Sequence, residues 1–106
     1  MSQPFNQLTP AQVERLALLS EECGEVIQAI GKILRHGYGS RNPLMGLGPL
    51  NREVLERELG DVMTAMDLLC CAGDLDSNVV EAARKEKRIL VQRYLHHQDD
   101  ARKLPH

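Results

Sequence analysis

The sequence predicts an all-α fold, a bundle of three main helices per chain whose four-helix core is completed by self-association. Aromatic residues are scarce, one Phe, two Tyr and no Trp in 106 residues. A core must therefore come from Leu, Ile, Val, Ala and Met, which suits helix packing better than a sandwich of sheets. Apolar residues recur at helical spacing along three stretches, without strand-like alternation or a hairpin signal. Length argues for one domain spanning 1–106, with a core over about 8–97 and a polar tail over 98–106.

The first helix opens at Thr9-Pro10-Ala11-Gln12. Thr9 can cap, Pro10 suits the first helical position, and Gln12 completes a capping box. The pattern runs to about His36, where Gly37 can close it. Leu16, Leu19, Cys23, Val26, Ile27, Ile30, Ile33 and Leu34 fill one broad apolar arc. Glu21, Glu22, Glu25, Gln28, Lys32, Arg35 and His36 fall on the opposite side, within about 140° of one another. Two partner helices cover so wide an arc poorly, which agrees with self-association.

Residues 37–50 hold four Gly and two Pro, which excludes a long regular element. A connection of this length is usually functional or mobile. Tyr38, Arg41 and Asn42 within it offer stacking and hydrogen-bonding groups to a bound molecule. A second helix is expected from Asn51, as cap, to about Ala72, with Gly73 as stop. Asp76 or Ser77 can cap a third helix reaching about His97.

Composition excludes several classes. A net charge of −2 without a basic tract offers no footprint for nucleic acid. No apolar run approaches the roughly 20 residues of a membrane span, and no signal-peptide pattern opens the chain. Cys23, Cys70 and Cys71 form no C-x-x-C, so neither zinc nor a disulfide framework is indicated; they are expected as buried, reduced thiols. A cytoplasmic setting is the expectation.

Two acidic patterns carry the chemistry, Glu21-Glu22-x-x-Glu25 and Glu58-x-x-Asp61, one on each of the first two helices. Residues three apart share a helical face. Glu58 lies within an arc made by Val54, Leu55, Val62, Ala65, Met66 and Leu69. A carboxylate there must be neutralised, paired with a cation such as Arg35, or metal-bound, because an unpaired buried charge is prohibitively costly. Facing carboxylate pairs suit a hard divalent ion such as Mg²⁺, with Mn²⁺ able to substitute. Lys32, Arg35 and His36 follow Glu25 along the first helix, a cation row of the kind a polyphosphate needs.

Leu19-Ser20-Glu21-Glu22-Cys23-Gly24-Glu25-Val26 followed by Glu58-Leu59-Gly60-Asp61-Val62 resembles the EExxE…ExxD signature of the MazG-like all-α nucleoside triphosphate pyrophosphohydrolases. Lys32-Ile33-Leu34-Arg35-His36-Gly37 is similar to the small single-domain and phage-type members. The resemblance covers about residues 8–95 and implies a homodimer or homotetramer. It implies Mg²⁺ held by Glu22, Glu25, Glu58 and Asp61, with Glu21 or Glu25 taking the proton of the attacking water. It further implies cleavage of a (d)NTP between the α- and β-phosphates to a monophosphate and pyrophosphate, in nucleotide-pool housekeeping. Lys32, Arg35, His36 and Tyr38 become substrate-binding candidates. Lys85 carries over as a phosphate contact, whereas Ala83 stands where many members have Asn. The stretch between Glu25 and Glu58 is longer than is usual between the motifs. Phosphoribosyl-ATP pyrophosphohydrolase and a non-catalytic helical interaction module are the rival readings.

Overall fold

The computed structural model describes residues 5–99. It is all-α, with α1 (Pro10–His36), α2 (Asn51–Cys71) and α3 (Ser77–Leu90). Short 3₁₀ turns lie at Pro43–Met45 and Val91–Arg93. Among the described residues, none is long and apolar enough a helix to cross a membrane. Contacts group the chain into two compact units, one ending at Asp74 with α1 and α2, the other beginning at Leu75 with α3.

α1 begins as its local signals dictate. Thr9 Oγ1 accepts from the Gln12 N–H at 3.1 Å, and Gln12 Oε1 accepts from the Thr9 N–H at 2.9 Å. It ends at Gly37, whose φ of 87° favours glycine. α2 starts one residue differently from expectation. Leu50 holds the cap position, and its N–H donates to Glu53 Oε1 at 2.9 Å. Asn51 does not cap. Its N–H donates to Ser40 O at 2.8 Å, its side chain donates to Gly37 O at 3.1 Å, and the Arg52 N–H donates to Tyr38 O at 3.1 Å. The orphan donors of the first turn are thus satisfied by the connecting segment. That segment is cinched where Arg41 and Leu50 form an isolated antiparallel bridge.

α1 and α2 pack antiparallel, with matching inner faces. Glu22, Val26, Ala29 and Ile33 on one helix, and Glu58, Val62, Ala65 and Leu69 on the other, each span about 60° of the wheel. Ala29, Ala65 and Leu69 are the fully buried apolar residues among those described. The small side chains at 29 and 65 let the backbones approach on either side of the acids. This corrects the wheel drawn from sequence, which set Glu22 on the wet side of α1; it is half-buried on the inner face. The far side of the expected apolar arc is instead open, with Ile27 71% and Leu34 81% exposed. Cys23 and Cys71 are exposed and Cys70 half-buried, so the expectation of three buried thiols fails within one chain. Cys23 shares the uncovered side of α1 with Leu16 and Ile27.

Beyond α2, Gly73 turns the chain with φ 82°. Asp74 then reaches back to the start of α1, accepting from Arg15 Nε at 2.7 Å and Nη2 at 3.2 Å, with Gln12 Nε2 at 3.5 Å. The Arg15 hydrogen bond holds the Asp74 carboxyl below its ordinary range. A lowered folded pKa stabilises the fold above the ordinary carboxylate range, and that contribution drains away as pH falls through the lowered value. Asp74→Asn should lower the Tm at neutral pH by about a few degrees and flatten the acid limb of Tm against pH. Superimposable acid limbs would remove Asp74 from acid unfolding.

In the second unit, Asp76 Oδ1 accepts from the Asn78 N–H at 2.8 Å and caps α3. The helix ends at Leu90, not at about His97 as the sequence suggested. A tightened turn follows, in which the Tyr94 N–H donates to Val91 O at 3.1 Å. His96, His97 and Gln98 add no apolar stripe to hold a further turn. The expected polar tail lies, beyond residue 99, outside the described residues.

Candidate metal centre

The helix register that buries Ala29 and Ala65 brings the two acidic patterns face to face. Glu22 of α1 and Glu58 and Asp61 of α2 each offer a carboxylate oxygen, and these oxygens lie within 4.8 Å of one another. Glu22 and Glu58 are half-buried, while Asp61 is exposed. The triad therefore has a protein wall on one side and solvent on the other. The Glu22 carboxyl is pushed above its ordinary range, first by burial and then by the charges of Asp61, Glu21, Glu58 and Glu25. Three converging carboxylates, with Glu22 pushed toward its neutral form, fit a divalent cation. The donors are all oxygen, and the open side leaves positions for water and phosphate oxygens, as Mg²⁺ or Mn²⁺ requires.

Glu25 and Glu21 are exposed and stand beside the triad, not in it. Glu25 lies about 60° around the helix from Glu22, and both neighbours act on Glu22 through their charge. Arg35, the cation considered from sequence as a partner for Glu58, lines a separate cavity. This cavity, of about 520 Å³, is walled by Lys32, Arg35 and His36 from the end of α1, Arg41 and Asn42 from the connecting segment, and Asn51 from α2. Tyr38 is not in its wall; the Arg52 guanidinium sits 5.3 Å from the centre of its ring. Lys85 lies on α3 in the second unit and is exposed. It acts on Glu81, which pairs with Arg84.

Asn51 is the lining residue that sequence reasoning assigned to another task. The available signal was Glu53, three residues after Leu50: a Glu at that spacing caps the preceding N–H and frees Asn51 for other contacts.

Neither a curated protein nor a solved structure gives a significant match to this chain. The family model of the MazG nucleotide pyrophosphohydrolase domain matches residues 12–94, a span that includes both acidic patterns.

Proposed function

The chain belongs to the MazG nucleotide pyrophosphohydrolase family, and from that premise we propose that it hydrolyses nucleoside triphosphates between the α- and β-phosphates in a Mg²⁺-dependent reaction. The products are a nucleoside monophosphate and pyrophosphate, and the role is housekeeping of the cytoplasmic nucleotide pool. The observation that carries this reading is the convergence of Glu22, Glu58 and Asp61 across α1 and α2.

Glu22, Glu58 and Asp61 hold the ion in this reading, with Glu25 as a fourth carboxylate from the next position around α1. The ion supplies charge neutralisation at the phosphate oxygens and acidification of water. Glu21 or Glu25, exposed beside the triad, takes the proton of the attacking water. Lys32, Arg35, His36, Tyr38 and Lys85 are the candidate substrate contacts; of those on α1, Lys32 stands nearest the acids and can counter charge on the phosphates. Self-association into a homodimer or homotetramer covers the open apolar side of α1.

A panel of ribo- and deoxyribonucleoside triphosphates and phosphoribosyl-ATP, with Mg²⁺ or with chelator, tests the proposal. Pyrophosphate and monophosphate should appear together with Mg²⁺, and chelator should abolish both. Release of orthophosphate alone, or turnover indifferent to chelator, would overturn the reaction. Absence of stoichiometric Mg²⁺ binding by calorimetry would instead favour an interaction module.

A further inference from the structure

We propose that the cationic cavity at the end of α1 receives a second phosphate, one carried on the nucleoside end of the substrate. This rests on the hydrolytic reading above. Lys32, Arg35, His36 and Arg41 converge on the cavity, and no acidic residue is among its walls. Arg41 is held there by its Nε, which donates to Gly48 O at 2.9 Å and leaves the outer guanidinium nitrogens available. Asn42, also in the wall, accepts from the Leu44 N–H through Oδ1 at 2.9 Å, which leaves its amide nitrogen as a donor. The wall is rich in donors and positive charge, the complement of a phosphate.

Cations at a helix C-terminus also offset the helix dipole, which accounts for Arg35 and His36. That account does not extend to Arg41, which comes from the connecting segment. Gathering like charges without an acid costs stability, a pattern typical of binding sites.

Distance separates this cavity from the phosphates that the triad would handle. Glu22 and Lys32 are ten residues apart on one straight helix, and Glu22 and His36 fourteen, so the rises are about 15 and 21 Å. Side chains on a helix lean toward its N-terminus, which lets Lys32 reach back toward the phosphate at the triad. Arg35, His36 and Arg41 lie beyond the reach of a triphosphate chain centred on the triad. On the wheel, Glu25, Lys32 and His36 fall within about 40° of one another, so one face of α1 runs from the acids to the cations. In this proposal the substrate lies along that face, its reacting phosphate at the triad and its nucleoside end in the cavity. An ordinary nucleoside end is uncharged and gives these cations nothing to neutralise, whereas a further phosphate does.

The second phosphate has two possible attachments, the ribose 3′-oxygen or a group borne on the base. Steady-state kinetics with ATP, adenosine 3′-phosphate 5′-triphosphate and N1-phosphoribosyl-ATP distinguishes them. One doubly phosphorylated substrate should show a KM about tenfold below that of ATP, and Arg41→Ala should collapse that ratio toward one. Equal KM values for all three substrates, or a ratio that Arg41→Ala leaves intact, would overturn the proposal. A second measurement is independent of turnover. Inorganic phosphate titrated into the metal-free protein should shift the amide resonances of residues 35–42 saturably, and Arg41→Ala should weaken that response. If no triphosphate is hydrolysed but phosphate still binds here, the hydrolytic reading fails and the cavity stands; unmoved resonances would dismiss the cavity as a phosphate site.

Discussion

Glu58→Gln should abolish metal-dependent turnover, by about a hundredfold or more, in a protein that remains folded. The substitution keeps shape and hydrogen-bonding capacity and removes the charge that faces Glu22 and Asp61. Without metal, it should hold or raise the Tm, because the Glu58 charge is among those that push the Glu22 carboxyl upward. The sign follows from linkage. A carboxyl with a raised folded pKa binds its proton better in the fold than in the unfolded chain. Metal-free stability therefore falls as pH rises from the ordinary carboxylate range through the raised value. Mg²⁺ should reverse that trend in the wild type and fail to do so in Glu58→Gln. Pyrophosphate release, circular-dichroism melts and Mg²⁺ titration together check the expectation. Near-normal hydrolysis by a folded Glu58→Gln would sink the metal assignment.

Ile27→Asp should have the next largest effect, on assembly. The fully buried apolar residues among those described are Ala29, Ala65 and Leu69, too small a core for an isolated chain of this length. Ile27, Leu34 and Met63 are 71%, 81% and 61% exposed, and Leu16 and Leu59 are also uncovered. A second copy is the partner expected to cover this side. In a twofold assembly every substitution appears twice, so an unpaired carboxylate at Ile27 should weaken association by about a hundredfold or more. Sedimentation at micromolar concentration should find the wild type as a dimer or larger and Ile27→Asp as a destabilised monomer. Dilution should lower the wild-type Tm by mass action. A wild-type monomer whose melting ignores concentration would refute this architecture.

Features set by neighbouring residues were legible in the sequence. Thr9 with Gln12, Gly37, Gly73 and Asp76 act through contacts within a turn or two, and the structure places them where those rules do. The start of α2 was not legible, because its first N–H groups bond to carbonyls at 38 and 40, a tertiary contact that no local pattern encodes. The inner face of α1 was misread for a related reason. A wheel turns the widest apolar arc toward the core, but α2 packs beside that arc, where Ala29 permits close approach. Glu22 and Glu25 are equivalent in the acidic motif; only the register of α1 on α2 brings Glu22 to Glu58 and Asp61 and leaves Glu25 beside them.

The bridge between Arg41 and Leu50, with the bonds from Asn51 and Arg52 back to the same segment, separates two design problems. The positions of the acidic residues depend on helix register, which the pinned ends of the connection protect. What lies between the pins is an excursion, and lengthening one costs little, about 0.6 kcal/mol for each doubling. This fold can thus acquire or shed residues there without moving a carboxylate. That interval is an insertion point where the wall of the cationic cavity can be rewritten by duplication or loss of a few codons while the register of the acids is inherited unchanged.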